Sequence, residues 1–164
     1  MQSYNKRRPG RSRERDEGRM AGSEHRVFRA STPELMRVSA FVEERCAELG
    51  VAREHALRVL LIAEELFLNS VLHGYGGDSD AEVRLALTQP SPGEIELAVE
   101  DSARAFDPFS VAGKPLTESA DPNARPVGGL GLVMVSGLSS RRRYERRDGR
   151  NVITVALPLA GSAR

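Results

Sequence analysis

Glu65-Leu66-Phe67-Leu68-Asn69, followed by His73-Gly74-Tyr75, is the stretch on which the reading of this chain turns. It lies in the most helix-like segment of the sequence, yet it sets an acid and an amide four residues apart. Positions i and i+4 share one helix face, so the carboxylate and the carboxamide can point at one ligand. That spacing alone is common. Two later stretches give it weight: Asp101-Ser102-Ala103-Arg104-Ala105-Phe106-Asp107-Pro108 and Gly128-Gly129-Leu130-Gly131-Leu132, in that order.

The segments around these stretches predict an order of elements. A first strand runs over about Glu24–Ala30, with Val27 and Phe28 as its apolar content. Ser31-Thr32-Pro33-Glu34 reads as a helix start, with a hydroxyl cap, a proline in the first turn and an acid at the positive end of the dipole. Leu35, Val38, Phe41, Val42 and Leu49 follow at helical spacing, and Gly50 ends that helix. A second helix is predicted over about Ala52–His73, broken by Gly74-Tyr75-Gly76-Gly77-Asp78. Glu82–Thr88 and Glu94–Glu100 alternate apolar with polar residues and form a hairpin with one buried face. Residues Asp107–Val127 hold four prolines and little periodicity, which is the mark of a functional loop. A short helix from Leu132 to Leu138 and two strands, Arg141–Arg147 and Asn151–Leu159, joined at Asp148-Gly149, complete the chain. Antiparallel strands with helices gathered on one face predict an α/β two-layer sandwich.

Composition bounds the alternatives. At 164 residues, 40% apolar and 29% charged, the chain has the size and composition of one globular domain. No apolar run approaches the roughly 18 residues of a membrane span. The basic start lacks the apolar stretch of a secretory signal, so a cytoplasmic location is expected. Cys46 is the single cysteine and reads as a helix-face residue; His25, His55 and His73 have no metal-ligand spacing. Residues 1–19 carry seven basic and three acidic groups, net +4 against a chain total of +1. With almost nothing to bury, residues 1–23 are expected to be a disordered basic tail, and 24–160 the folded domain. Met20 is a possible alternative start. Nucleic-acid binding through the tail is the weaker reading of its charge.

Several nucleotide-binding plans are excluded. Gly129-Leu130-Gly131 lacks the third glycine of a dinucleotide turn and follows no first strand, and Gly113-Lys114 is followed by Pro115 where a phosphate loop needs Ser or Thr. The three stretches fit another chemistry. Asp101, at a strand end, can accept a hydrogen bond from an exocyclic amine such as that of adenine. The Gly128–Gly131 cluster before a helix can present backbone amides to phosphates. Asn69 offers a neutral oxygen suited to Mg²⁺, and Glu65 can polarise an attacking hydroxyl or water. Singly, each has an ordinary explanation as a solvated helix acid, a helix-edge amide, a turn or a joint. The three together in this order outweigh those explanations.

The chain resembles the GHKL (Bergerat-fold) ATPase superfamily, shared by gyrase, heat-shock-ninety chaperones, histidine kinases and MutL proteins. Within it, the chain is most similar to the stand-alone bacterial anti-sigma factors that are serine-protein kinases. Glu65–Asn69 with His73-Gly74-Tyr75 resembles the family's N box; Asp101–Pro108 resembles its first glycine box, and Gly128–Leu132 its second. The resemblance implies a histidine-kinase-like fold with a mostly antiparallel sheet. It implies ATP and Mg²⁺ as cofactors, Asn69 as metal ligand, Glu65 as general base and Asp101 as adenine reader. His73, Gly74, Ala103, Phe106, Gly128, Gly129, Leu130, Gly131 and Leu132 would complete the nucleotide site, with a lid over about Phe109–Val127. A sigma factor and a small antagonist protein are the implied partners, with a homodimer also in the family's range. Ala103 stands where the family has glycine, and Ala105 where it has proline. A methyl at 103 is expected to restrict the backbone or crowd the nucleotide. An alternative follows from it, a catalytically inactive module that regulates a partner in response to nucleotide.

Overall fold

In the computed structural model, which describes residues 25–110 and 129–159, the alternating apolar positions of three strands meet on one face of a sheet. Strand β2 (Glu82–Ser91) pairs antiparallel with β3 (Glu94–Asp101), and β3 with β5 (Arg150–Pro158). The register sets Leu85 beside Val99 and Val99 beside Ile153, and likewise Leu87, Leu97 and Val155. All six are buried. Strands β1 (His25–Arg29) and β4 (Arg141–Arg147) form the edges, giving the order β1-β2-β3-β5-β4, antiparallel throughout. The Asp148-Gly149 turn joins β4 to β5 with positive φ at both residues, the geometry whose twist matches a hairpin.

Three helices cover the apolar face. α1 (Leu35–Glu48) contributes Val38, Phe41, Val42 and Cys46, and α2 (Arg53–Asn69) contributes Val59, Ile62, Ala63, Leu66 and Phe67. α3 (Gly129–Leu138) adds Leu132 and Val135, and all join one core with the strand residues. Phe28 of β1 ties the layers together. Its ring lies 5.9 Å from Phe41 and 6.3 Å edge-on from Phe67, so one aromatic contact set spans sheet and both long helices. Its neighbour Val27 points the other way and is exposed. This is the two-layer sandwich that the element order predicts.

Several boundaries differ from the sequence reading, for identifiable reasons. The Ser31 side chain makes no capping hydrogen bond. Asp78, from the turn after α2, takes that role: its Oδ1 accepts from the Thr32 amide at 2.7 Å and the Thr32 hydroxyl at 2.8 Å. A cap supplied from 46 residues away is invisible to local sequence rules. The second helix does not run as α-helix to His73. It ends at Asn69 and widens into a π-turn over Ser70–Gly74, where the Tyr75 amide bonds back to the Ser70 carbonyl at 2.9 Å. β2 extends to Ser91 past a register shift, into the stretch expected to be loop. α3 starts at Gly129 rather than Leu132, so Gly129 and Gly131 lie within its first turn instead of before it.

Candidate functional site

The C-terminal half of α2 is where the three sequence stretches converge. Glu65 and Asn69 are one turn apart on that helix, and the π-turn that follows carries Ser70, His73 and Gly74. A π-turn swings its residues out of α-helical register, a feature that concentrates at functional sites. Three contacts close the constellation. Ser70 Oγ donates to Asp101 Oδ2 at 2.6 Å, at the end of β3. Gly74 meets the Ala103 methyl: a Cβ built on Gly74 would lie 2.9 Å from the Ala103 Cβ. Glu65 rests against Gly131, where an added Cβ would overlap its carboxylate.

Of two adjacent acids on α2, only Glu65 faces this region. Glu64 accepts a hydrogen bond from Ser39 Oγ of α1 at 2.7 Å and so belongs to the helix–helix contact. Asn69 is 5% exposed, and its amide nitrogen is buried without a hydrogen-bond partner. A buried amide donor left unpaired costs free energy unless a ligand or water completes it. That is the state expected of a side chain held ready for a polar ligand.

Asp101 is 4% exposed and held from several sides. Oδ1 accepts from Asn151 Nδ2 at 2.7 Å and from the Ala103 amide at 3.0 Å; Oδ2 accepts from Ser70. Tyr75 braces the same strand end. Its hydroxyl accepts from the Ser102 amide at 3.0 Å and lies 3.3 Å from the Glu82 carbonyl, to which it donates. Burial, with the Asp101 charge adding to it, pushes the Tyr75 hydroxyl above its ordinary pKa, so it keeps the proton it donates. His73 and Phe106 lie with ring centroids 5.9 Å apart, and the His73 carbonyl accepts from Arg104 Nε at 3.1 Å.

Alanine fits at position 103. Among the described residues the one non-glycine with positive φ is Asp148, so Ala103 uses a backbone conformation open to any L-residue. Its methyl is buried against Gly74 rather than directed into open space. The backbone restriction expected of a methyl there does not arise.

Of the residues singled out from the sequence, Glu65 meets Gly131, Gly74 and Asp101 meet Ala103, and His73 meets Phe106, while Asn69 lies buried between Glu65 and the π-turn on the same helix end. Leu132 is a core residue of α3 instead. Gly129 and Leu130 open α3. Gly128, residues 1–23 and most of the loop over 109–127 lie outside the described residues. Sequence reasoning missed Ser70, Tyr144, Arg146 and Asn151. Ser70 stands next to Asn69 and carried no separate signal. Asn151 carried one: it occupies an inward position two before Ile153, in a strand whose inward residues are otherwise apolar.

A five-stranded antiparallel sheet under three helices, with the polar set on the helix beside β3, defines the class. The chain belongs to the histidine kinase-like ATPase domain family, which matches residues 28–157. It is 35% identical over 95 residues to the serine/threonine-protein kinase BtrW of Bordetella bronchiseptica, covering 58% of this chain. It is 24% identical over 98 residues to an anti-sigma F factor of Priestia megaterium, covering 60% of this chain. The matched part spans 65% of each relative's length. Among solved structures, the fold is similar to the RsbU and RsbW domains of Rv1364c from Mycobacterium tuberculosis, with TM-score 0.56 at 21% identity, covering 87% of this chain and 34% of that one. It is also similar to the SiaB–SiaC complex from Pseudomonas aeruginosa, with TM-score 0.51 at 12% identity, covering 82% of this chain and 89% of that one. Among the described residues no helix is long and apolar enough to cross a membrane.

Proposed function

We propose that this chain binds ATP with magnesium at the Glu65–Asn69–Asp101 site and transfers phosphate to a serine of a small antagonist protein, holding a sigma factor when that antagonist is phosphorylated. The observation that carries the reading is the convergence of three separated stretches on one helix end: Ser70 on Asp101, Gly74 on Ala103, and Glu65 on Gly131. The folded domain is taken as 24–160.

The residues fit such a ligand. Asp101 keeps acceptor capacity beside Ser70 for a base amine. Among the described residues no three His, Cys, Asp or Glu side chains gather as a metal site. A magnesium ion would therefore take the Asn69 carboxamide oxygen together with phosphate oxygens and water, a set this ion accepts. Bound MgATP supplies the phosphoryl group. Glu65 accepts the proton of the attacking serine hydroxyl as the new P–O bond forms and the bond to the leaving diphosphate breaks. The absence of a Cβ at Gly131 leaves the Glu65 carboxylate room beside the first turn of α3, where backbone amides favour anionic groups. The names of the relatives, a serine/threonine kinase and an anti-sigma factor, support the substrate class and the partner.

Calorimetric titration of ATP with Mg²⁺ into the wild-type chain, Asp101→Asn and Glu65→Gln tests the reading. The wild type and Glu65→Gln are expected to bind alike, and Asp101→Asn to lose binding while keeping its far-UV spectrum. No binding to the wild type at millimolar ATP would overturn it.

A further inference from the structure

A glycine inside a helix weakens it, because it gives up more conformational freedom than alanine would. Beyond its first residue, α3 carries two, Gly131 and Gly137. Neither has positive φ, so the backbone of neither position calls for glycine. Gly137 is exposed, and a Cβ built on it would meet nothing within 4 Å. Gly131 is buried, and a Cβ there would overlap Oε2 and Cδ of Glu65 and lie 2.7 Å from Oε1. The three atoms nearest to that Cβ all belong to one carboxyl group.

The carboxyl group depends on this contact for its place. Among the described residues Glu65 has no hydrogen-bond or ion-pair partner, whereas Glu64 beside it accepts from Ser39. A glutamate side chain turns about several bonds. With no directed bond to hold it, its neighbours decide which rotamer it keeps. α2 and α3 pack side by side, and the bare Cα of Gly131 opens a notch in α3 that the carboxylate fills. There the negative charge lies at the first turn of a helix, where the dipole favours it. A methyl at 131 would take the volume that the carboxylate occupies, and Glu65 would have to swing to another rotamer.

We propose that Gly131 is a positioning residue for the base: the notch left by its missing Cβ fixes the Glu65 carboxylate at the first turn of α3. The inference rests on the reading of Glu65 as the base and adds the residue that sets where its oxygens lie. The demand for glycine at 131 then comes from a side chain on another helix and not from α3 itself. The same methyl is therefore harmful at 131 while Glu65 is present and harmless there once Glu65 is shortened to alanine. At 137 it is harmless throughout.

Urea denaturation without nucleotide, and turnover of MgATP by water, test this in five full-length proteins: the wild type, Gly131→Ala, Gly137→Ala, Glu65→Ala and Glu65→Ala/Gly131→Ala. Gly137→Ala should raise the urea midpoint, as alanine does in a helix with open space around it. Gly131→Ala should lower it, and the same change should no longer lower it when made on Glu65→Ala. An equal drop in both backgrounds, or a rise in the presence of Glu65, overturns the inference. In turnover, Gly131→Ala should lower kcat by roughly a hundredfold, within the range that a positioned base supplies. The double variant should be no slower than Glu65→Ala, because both changes remove one contribution. Losses that multiply would give Gly131 a role apart from Glu65 and overturn the inference. If Gly131→Ala does not fold, the same change on Glu65→Ala decides: folding there supports the notch, and failure there overturns it. If water gives no measurable turnover, the denaturation series decides alone. A wild type that binds MgATP, with Gly131→Ala turning over unchanged, overturns this inference alone. A wild type that does not bind MgATP overturns the nucleotide reading with it.

Discussion

The Ala103 methyl is buried against Gly74, so the turn after β3 and the π-turn after α2 meet with one methyl between them and no room for a second. Gly74→Ala would bring two Cβ atoms to 2.9 Å, inside contact distance. Overpacking of that kind costs about 1–3 kcal/mol. Ala103→Gly, which gives up buried contact and adds backbone freedom to the unfolded chain, should cost about 1 kcal/mol. The double variant Gly74→Ala/Ala103→Gly moves the methyl across the contact and should recover most of the first loss. Urea denaturation of the four proteins checks this; strictly additive losses would mean that the two positions do not touch. Glu65, Asn69 and Asp101 were legible in the sequence because each stands at a fixed offset within a recognisable stretch. Tyr144 and Arg146 were not, and Asn151 showed only as the one polar residue at an inward position of its strand. They lie more than 40 residues beyond Asp101, and Arg141–Arg147 reads from composition as a charged edge strand. Only the pairing of Asn151 with both Asp101 and Arg146 makes these residues part of the site.

At the scale of elements, the period-two and helical patterns were sufficient to place β2, β3, β5, α1 and α2, while the ends depended on partners distant in sequence. The start of α1 is the clearest case, since the carboxylate at its entry comes from Asp78. Hydrogen bonds from the Thr32 amide and hydroxyl hold the Asp78 carboxyl below its ordinary pKa of 3.8. A lowered folded value means that the native state releases this proton more readily than the unfolded chain. The contribution is therefore present above the ordinary aspartate range and disappears as pH falls through the lowered native value. Asp78→Ala should then be less stable than the wild type at neutral pH, with the gap closing in strong acid. Thermal melts of both proteins across that range measure it, and a gap independent of pH would assign the loss to something other than the charged cap. The β4 edge was legible only in part. Arg141 is tied to Glu94 and Glu96 across the sheet, and Arg143 to Glu145, so this edge is less basic than its run of arginines suggests.

For the whole molecule, Cys46 offers a reporter that the sequence supplied without revealing its use. It is buried on the inner face of α1, within the core shared by sheet and helices. Burial pushes its thiol from an ordinary 9.0 up to about 11. At pH 7.5 the folded protein holds almost no thiolate, and thiolate is the species that reacts. The unfolded chain loses this proton near 9.0 and the native state only near 11, so stability falls as pH rises across that window and is unaffected below it. Labelling by an aromatic disulfide at pH 7.5 thus requires the core to open, and its rate follows the population of the open form when reclosing is fast. A ligand that binds only the folded state lowers that population by mass action, so MgATP at about 100 times its dissociation constant should slow labelling about 100-fold. Cys46 is not among the residues of the proposed site, so the slowing would come through stability and not through steric shielding. Asp101→Asn, with its base contact removed, should show little slowing at the same MgATP concentration. Equal slowing in both proteins would place the nucleotide elsewhere on the chain. Retardation confined to the wild type would link the site at the end of α2 to the stability of the whole sandwich.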